Sequence, residues 1–177
     1  AKAAGKEIEI HDLIIGGCSL DTHAANLKDS LKRYAYEING KPAATEVSAN
    51  DIISKAGWNY ITVQQASPLS GKPDTYSPYI DEIINFIKTN SPKSEILVHE
   101  TWSYENGSNH AGFLSYNSDS DYTYQCLKSA YYDVAARFNL RLIPTGDVIQ
   151  KLRSLPEFDT QNGGISLCRD TFHLSLT

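Results

Sequence analysis

The sequence predicts an α/β protein built on a mainly parallel sheet covered by helices on both faces. Short β-branched runs alternate with stretches whose apolar residues recur at helical spacing, the pattern of strands joined through crossover helices. The chain has 177 residues, 41% of them hydrophobic and 21% charged, which suits one globular domain with a sizeable core. No linker-like stretch divides it, and no internal repeat is present.

Residues Ala1 to Gly5 read as the last turn of a helix closed by a C-cap glycine. A β-rich run, Ile8 to Ile15, leads into the glycine turn Gly16-Gly17-Cys18-Ser19-Leu20. Asp21-Thr22 then opens a predicted helix whose apolar residues Ala24, Leu27, Leu31, Tyr34 and Ile38 keep helical spacing until Asn39-Gly40 stops it. A short helix follows from about Ser48, with Asp51 placed for a capping box, and ends at Gly57.

The strand Tyr60 to Gln64 comes next. A loop rich in proline, serine and glycine, Ala66 to Ser77, precedes a helix with Pro78 in its first turn and Ile80, Ile83, Ile84 and Ile87 along one face. The remaining predicted elements are the strand Ile96 to Val98, a long aromatic loop from Thr101 to Ser118, a helix from about Asp119 to Phe138, and the strand Arg141 to Ile143 ending at Pro144.

Composition narrows the partners. The net charge is −5, and no Lys/Arg cluster exceeds Lys32-Arg33, which argues against nucleic acid. No apolar run is long enough to span a membrane. Cys18, Cys126 and Cys168 lack the C-x-x-C pairing or ligand-spaced histidines of a metal site, and they are too few for a disulfide framework. The expected ligand is therefore small or neutral.

In parallel α/β sheets the ligand crevice lies beyond the carboxyl ends of the strands. The residues there are Gly16 to Leu20, Gln64 to Ser67, His99 to Tyr104 and Thr145 to Asp147, all rich in polar, aromatic or glycine positions. Near the end of the chain, Asp170 precedes His173 by three residues. A carboxylate so placed can hold an imidazole in the tautomer whose free nitrogen takes a proton from a hydroxyl nucleophile. The pair points to acyl transfer; a surface Asp beside a His on a local turn is the plainer reading of the same four residues.

The runs Ile15 to Leu20 (I-G-G-C-S-L), Gln64 to Ser67 (Q-Q-A-S), His99 to Trp102 (H-E-T-W) and Asp170 to His173 (D-T-F-H) together resemble the SGNH (GDSL-type) esterase superfamily, and more narrowly an uncharacterised bacterial branch of it. The resemblance implies a three-layer α/β/α sandwich with a flavodoxin-like, five-stranded parallel sheet, and hydrolysis of an ester by Ser, His and Asp. It makes His173 the general base and acid and Asp170 its orienter. It also makes the Gly17 backbone N–H an oxyanion donor, and a tight strand-to-helix turn at Gly16-Gly17 is the alternative. Where the superfamily has G-x-N-D, this chain has Gln64-Gln65-Ala66-Ser67, so the side-chain oxyanion donor becomes Gln65 or Gln64, and a buried glutamine bonded to strand-end carbonyls is the alternative.

The family's nucleophile sits at the end of its first strand, upstream of a helix. By element order Ser19 falls in the glycine block, so the expectation is that the true serine precedes this sequence, with Ser19 as the fallback nucleophile. The same reasoning, with the absence of methionine and the end at Thr177, leads us to expect a single domain lacking its first strand and last helix. His99, Trp102, Tyr104 and His110 are candidates to line a substrate cleft, since aromatic faces stack on sugar rings and histidines bond hydroxyls, with aromatic packing under a long loop as the alternative. The function expected from the resemblance is hydrolysis of acyl esters, acetyl among them, of carbohydrate. The main competitor is an inactive member that binds a glycan or protein; a nucleotide-binding flavodoxin-like domain lacks a phosphate-cradling glycine loop.

Overall fold

A computed structural model describes residues 5–55 and 57–175. The helix tail expected at Ala1 to Ala4 lies outside the described residues. The chain forms two compact units, Ala1–Trp58 with Tyr79–Ser94, and Asn59–Pro78 with Glu95–Thr177.

The first unit holds an antiparallel sheet in the order β1-β2-β3, made of β1 (His11–Ile14), β2 (Lys32–Ile38) and β3 (Lys41–Ser48). This corrects two expectations. The strand within Ile8 to Ile15 pairs antiparallel with β2 and does not join a parallel sheet. The helix expected to run to Ile38 is α1 (Leu20–Lys28), which ends where Ser30 takes φ 51° and the chain turns into β2.

The reason lies in two periods that overlap. Tyr34 and Ile38 are four apart, but Tyr34 and Tyr36 are buried on one face of β2 while Ala35 between them is exposed, so a period of two prevails. Asn39-Gly40 stops no helix. With φ of 53° and 71°, the pair forms the two-residue turn of the β2–β3 hairpin, whose twist requires left-handed backbone at both positions.

α2 (Ala49–Ile53) starts as expected, with the Ser48 hydroxyl accepting from the Asp51 N–H at 3.1 Å. α3 (Tyr79–Asn90) buries Ile80, Ile83, Ile84 and Ile87 and packs on α1, which buries Leu20, Ala24 and Leu27. Each fully buried aliphatic side chain of this kind contributes roughly 1.5–3 kcal/mol.

The second unit carries a three-stranded parallel sheet in the order β4-β5-β6: β4 (Tyr60–Val63), β5 (Glu95–His99) and β6 (Arg141–Ile143). All three match the strands read from the sequence to within a residue or two. α5 (Ser120–Phe138) packs on β5 and β6 and buries Leu127, Ala130, Tyr131, Val134 and Ala135. Its start is fixed by the Asp119 carboxylate accepting from Tyr122 N–H at 2.8 Å, and its end by Asn139 in the left-handed conformation.

Two helices were not anticipated. α4 (Ala111–Leu114) is a single turn inside the aromatic loop, and α6 (Thr145–Arg153) follows β6 directly. The described residues thus form an α/β protein with a parallel three-stranded sheet, a smaller antiparallel sheet and six α-helices.

Candidate active site

The segment from Leu167 to Ser175 folds back on itself. Cys168 bridges Leu174 in antiparallel fashion, Arg169 N–H donates to His173 O at 2.9 Å, and Ser175 N–H donates to Leu167 O at 2.9 Å. Two bonds from the aromatic loop tether the tip: Glu105 N–H donates to Thr171 O at 2.8 Å, and the Trp102 indole Nε1–H donates to Phe172 O at 2.6 Å. Thr171 sits at φ 72°, a conformation that costs a β-branched residue on the order of 1–3 kcal/mol and persists only where neighbours over-determine it.

On this turn Asp170 Oδ2 lies 2.8 Å from His173 Nδ1. An ionised carboxylate can only accept, so Nδ1 carries the proton and Nε2 is the basic nitrogen of the neutral ring. The His173 side-chain bond, and then the His173 backbone N–H on Oδ1 at 2.8 Å, hold the Asp170 carboxyl below the usual carboxylate range. The carboxylate therefore both closes its own turn and orients the imidazole. His173 is half exposed, and the Phe172 ring packs against it with centroids 3.8 Å apart.

Gln65 is buried at the end of β4. Its Nε2 donates to Thr75 O at 3.1 Å and to Thr75 Oγ1 at 3.2 Å, and its Oε1 accepts from Ala66 N–H at 2.9 Å. That is the arrangement of a buried amide bonded to main-chain groups. Gln64, one residue earlier, is exposed, as strand alternation requires.

Gly17 and Ser19 belong to the first unit, while Gln65, Asp170 and His173 belong to the second. Gly17 follows a strand of the antiparallel sheet and adopts φ 66° in the turn before α1. The Ser19 hydroxyl bonds the Asp21 carboxylate and lies 3.3 Å from Thr22 Oγ1. Nearby, His23 is partly buried and its Nδ1 meets the Tyr34 hydroxyl at 2.8 Å.

The aromatic loop turns its rings inward. Tyr104 is 1% exposed and forms a cluster with Phe113 and Tyr116, against which Phe172 packs. His110 stacks on Tyr104 with centroids 5.0 Å apart, and its Nδ1 accepts from Gly112 N–H at 3.0 Å, which places its ring proton on Nε2. His99, at the end of β5, has Nε2 2.9 Å from Thr145 Oγ1, and burial pushes its pKa down. Tyr104 and His110 pack against Phe172 and so lie under the Asp170–His173 turn instead of forming an open stacking surface.

Two buried groups of the second unit carry no obvious signal in the sequence. Glu105 is buried, with both carboxylate oxygens 2.8 Å from Ser166 Oγ and Arg153 Nη2 at 3.9 Å. Arg153 also donates to Ser103 O and Oγ at 2.9 Å, joining α6 to the loop. Burial pushes the neighbouring Cys168 thiol up to about 11. Glu100 is completely buried and accepts from the Asp147 N–H at 2.9 Å in the first turn of α6; burial raises its pKa, and the helix N–H groups oppose that rise.

Among the described residues no three His, Cys, Asp or Glu side chains cluster as metal ligands, and no helix is long and apolar enough to cross a membrane. The fold and the site define an α/β protein that carries a His–Asp pair on a tethered turn of its parallel-sheet unit.

The chain belongs to the DUF4886 family, a domain of unknown function, whose family model matches residues 1–177. It is similar to a crystal structure of a DUF4886 family protein from Bacteroides uniformis ATCC 8492, with 31% sequence identity and a TM-score of 0.89. That match covers 99% of this chain and 68% of the other. No curated protein matches the chain.

Proposed function

We propose that this protein is a serine esterase of the SGNH type, a carboxylic ester hydrolase acting on acyl esters, acetyl among them, of carbohydrate. The observation that carries the reading is the 2.8 Å contact between Asp170 Oδ2 and His173 Nδ1 on a half-exposed, tethered turn. The parallel strand order β4-β5-β6 is compatible with the sandwich that such enzymes use.

In the proposed reaction His173 Nε2 takes the proton of a serine hydroxyl as its oxygen bonds the ester carbonyl carbon. The tetrahedral oxyanion collapses, the carbon–oxygen bond to the alcohol breaks, and the alcohol leaves with the proton from His173. Water, deprotonated by the same nitrogen, then hydrolyses the acyl-serine. Asp170 stabilises the imidazolium at each stage. The candidate serine within this sequence is Ser19, the fallback nucleophile, and Gly17 and Gln64 remain the candidate oxyanion donors. The chemistry calls for no cofactor.

One observation favours the competing reading, a non-catalytic member that binds a glycan or protein. The Gln65 amide is directed at Thr75, so the position of the family's side-chain oxyanion donor is occupied by a structural glutamine. The two readings separate on one experiment: reaction of the protein with a fluorophosphonate probe, mapping of any labelled serine, and turnover of 4-nitrophenyl acetate. Labelling that disappears in His173→Ala supports the esterase. Absence of both labelling and turnover supports the binding protein.

A further inference from the structure

An open depression of about 570 Å³ lies against the Arg169–Asp170 side of the turn, within the size range of small-ligand sites. Asp170 forms part of its wall, so anything seated there sits beside the His173 dyad. Its charges are mutually compensated: Arg169 Nε is 3.8 Å from Asp170 Oδ2, and Glu105, on the floor, faces Arg153. Such a site has no uncompensated charge to attract an ion.

Its uncharged groups are different. Among the described residues the side chains of Thr160 and Gln161 make no hydrogen bond to the protein, and Asn106 spends only its Oδ1, on Ser120 N–H at 3.1 Å, which leaves its amide N–H groups available. No aromatic residue lines the depression. A charge-paired, non-aromatic wall with unengaged amide and hydroxyl groups matches a ligand that presents several hydroxyls, each able to donate and accept.

Resting on the esterase reading, we propose that this depression, and not the aromatic loop, receives the alcohol part of the ester, a neutral polyhydroxylated ring or chain. Thr160, Gln161 and Asn106 bond its hydroxyls, and the ester-bearing arm passes Asp170 to reach His173, which does not itself line the depression. The inward-facing Tyr104 is the complementary observation, since a stacking platform needs a free ring face.

The test uses methyl β-glucopyranoside as probe, followed by saturation-transfer NMR on the wild-type protein and on the Thr160→Val/Gln161→Ala double variant, both positions being exposed. The expected result is transfer to the sugar protons in the wild type, reduced at least about fivefold in the variant. No transfer in the wild type, or equal transfer in both, overturns the assignment. A second readout is the ratio of kcat/KM for an acetylated methyl glucoside to that for 4-nitrophenyl acetate, which should fall about tenfold in the variant, the scale of losing bonds to substrate hydroxyls. An unchanged ratio overturns the assignment while leaving the esterase standing. Variant-sensitive binding without hydrolysis of either ester leaves the subsite standing and removes the esterase.

Discussion

The Tyr104 hydroxyl occupies the space that a side chain on Gly112 needs: a Cβ built there meets the Tyr104 oxygen at 2.6 Å and Pro68 Cβ at 2.9 Å. The same hydroxyl is buried and, among the described residues, has no hydrogen-bond partner. Gly112→Ala should therefore destabilise the protein by about 1–3 kcal/mol through overpacking, although alanine is the better helix former. Tyr104→Phe should be neutral or slightly stabilising, because it removes an unsatisfied polar atom. The double variant should lose less than Gly112→Ala alone, and urea unfolding of the four proteins measures that coupling.

Asp170→Asn keeps an acceptor for the turn's backbone N–H groups but removes the charge facing His173. If the dyad is catalytic, kcat for 4-nitrophenyl acetate should fall by roughly 10³–10⁴. Both side chains are about half exposed, so the melting temperature should barely move. A drop of less than tenfold in kcat rejects Asp170 as the orienter.

Trp102→Phe retains the ring and deletes the bond from Nε1 to Phe172 O. The expected cost is about 1 kcal/mol. Looser tethering of the turn should also lower ester turnover. The denaturant midpoint and kcat of the same sample give both quantities.

Gly40 holds φ 71° in the β2–β3 turn, with open space around its missing side chain. Gly40→Ala meets no clash, so its whole effect is backbone strain of roughly 1–2 kcal/mol. A loss well above that range would mean that the turn does more than reverse the chain.

Burial holds His99 and His23 below the ordinary imidazole value of about 6.5, with Asp21 opposing the shift at His23. Both rings are neutral in the folded chain, and the unfolded chain takes up protons first. The stability that they contribute is complete above about pH 6.5 and is lost as pH falls through their lower folded values. His99→Asn should flatten the dependence of the urea midpoint on pH below that point. An unchanged slope would exclude His99 as a source of acid sensitivity.

Much of the second unit was readable from local signals. β4, β5, β6 and α5 follow from β-branched runs, an Asp cap and a left-handed Asn, because each depends on residues within a few positions of one another. The first unit misled at β2, where Leu27, Leu31, Tyr34 and Ile38 fit a helical period as well as Tyr34, Tyr36 and Ile38 fit a strand. The choice fell to the hairpin partner β3, which supplies the ladder and which no window inside residues 20–38 contains. α6 was missed because its first turn is stabilised by Glu100, more than forty residues away.

For the candidate site, the sequence by itself determined that an Asp and a His lie three apart near the chain's end, a spacing short enough for one turn to bring them together. Only the tertiary structure decided the rest. Trp102 and Glu105 hold that turn from a distant loop, and Gln65 directs its amide at Thr75. Tyr104 lies in the core, and the Glu105–Arg153 pair backs a depression beside Asp170. Each depends on side chains that are remote in sequence and adjacent in space, where burial and competition for hydrogen-bond partners, not residue type, set what a group can do.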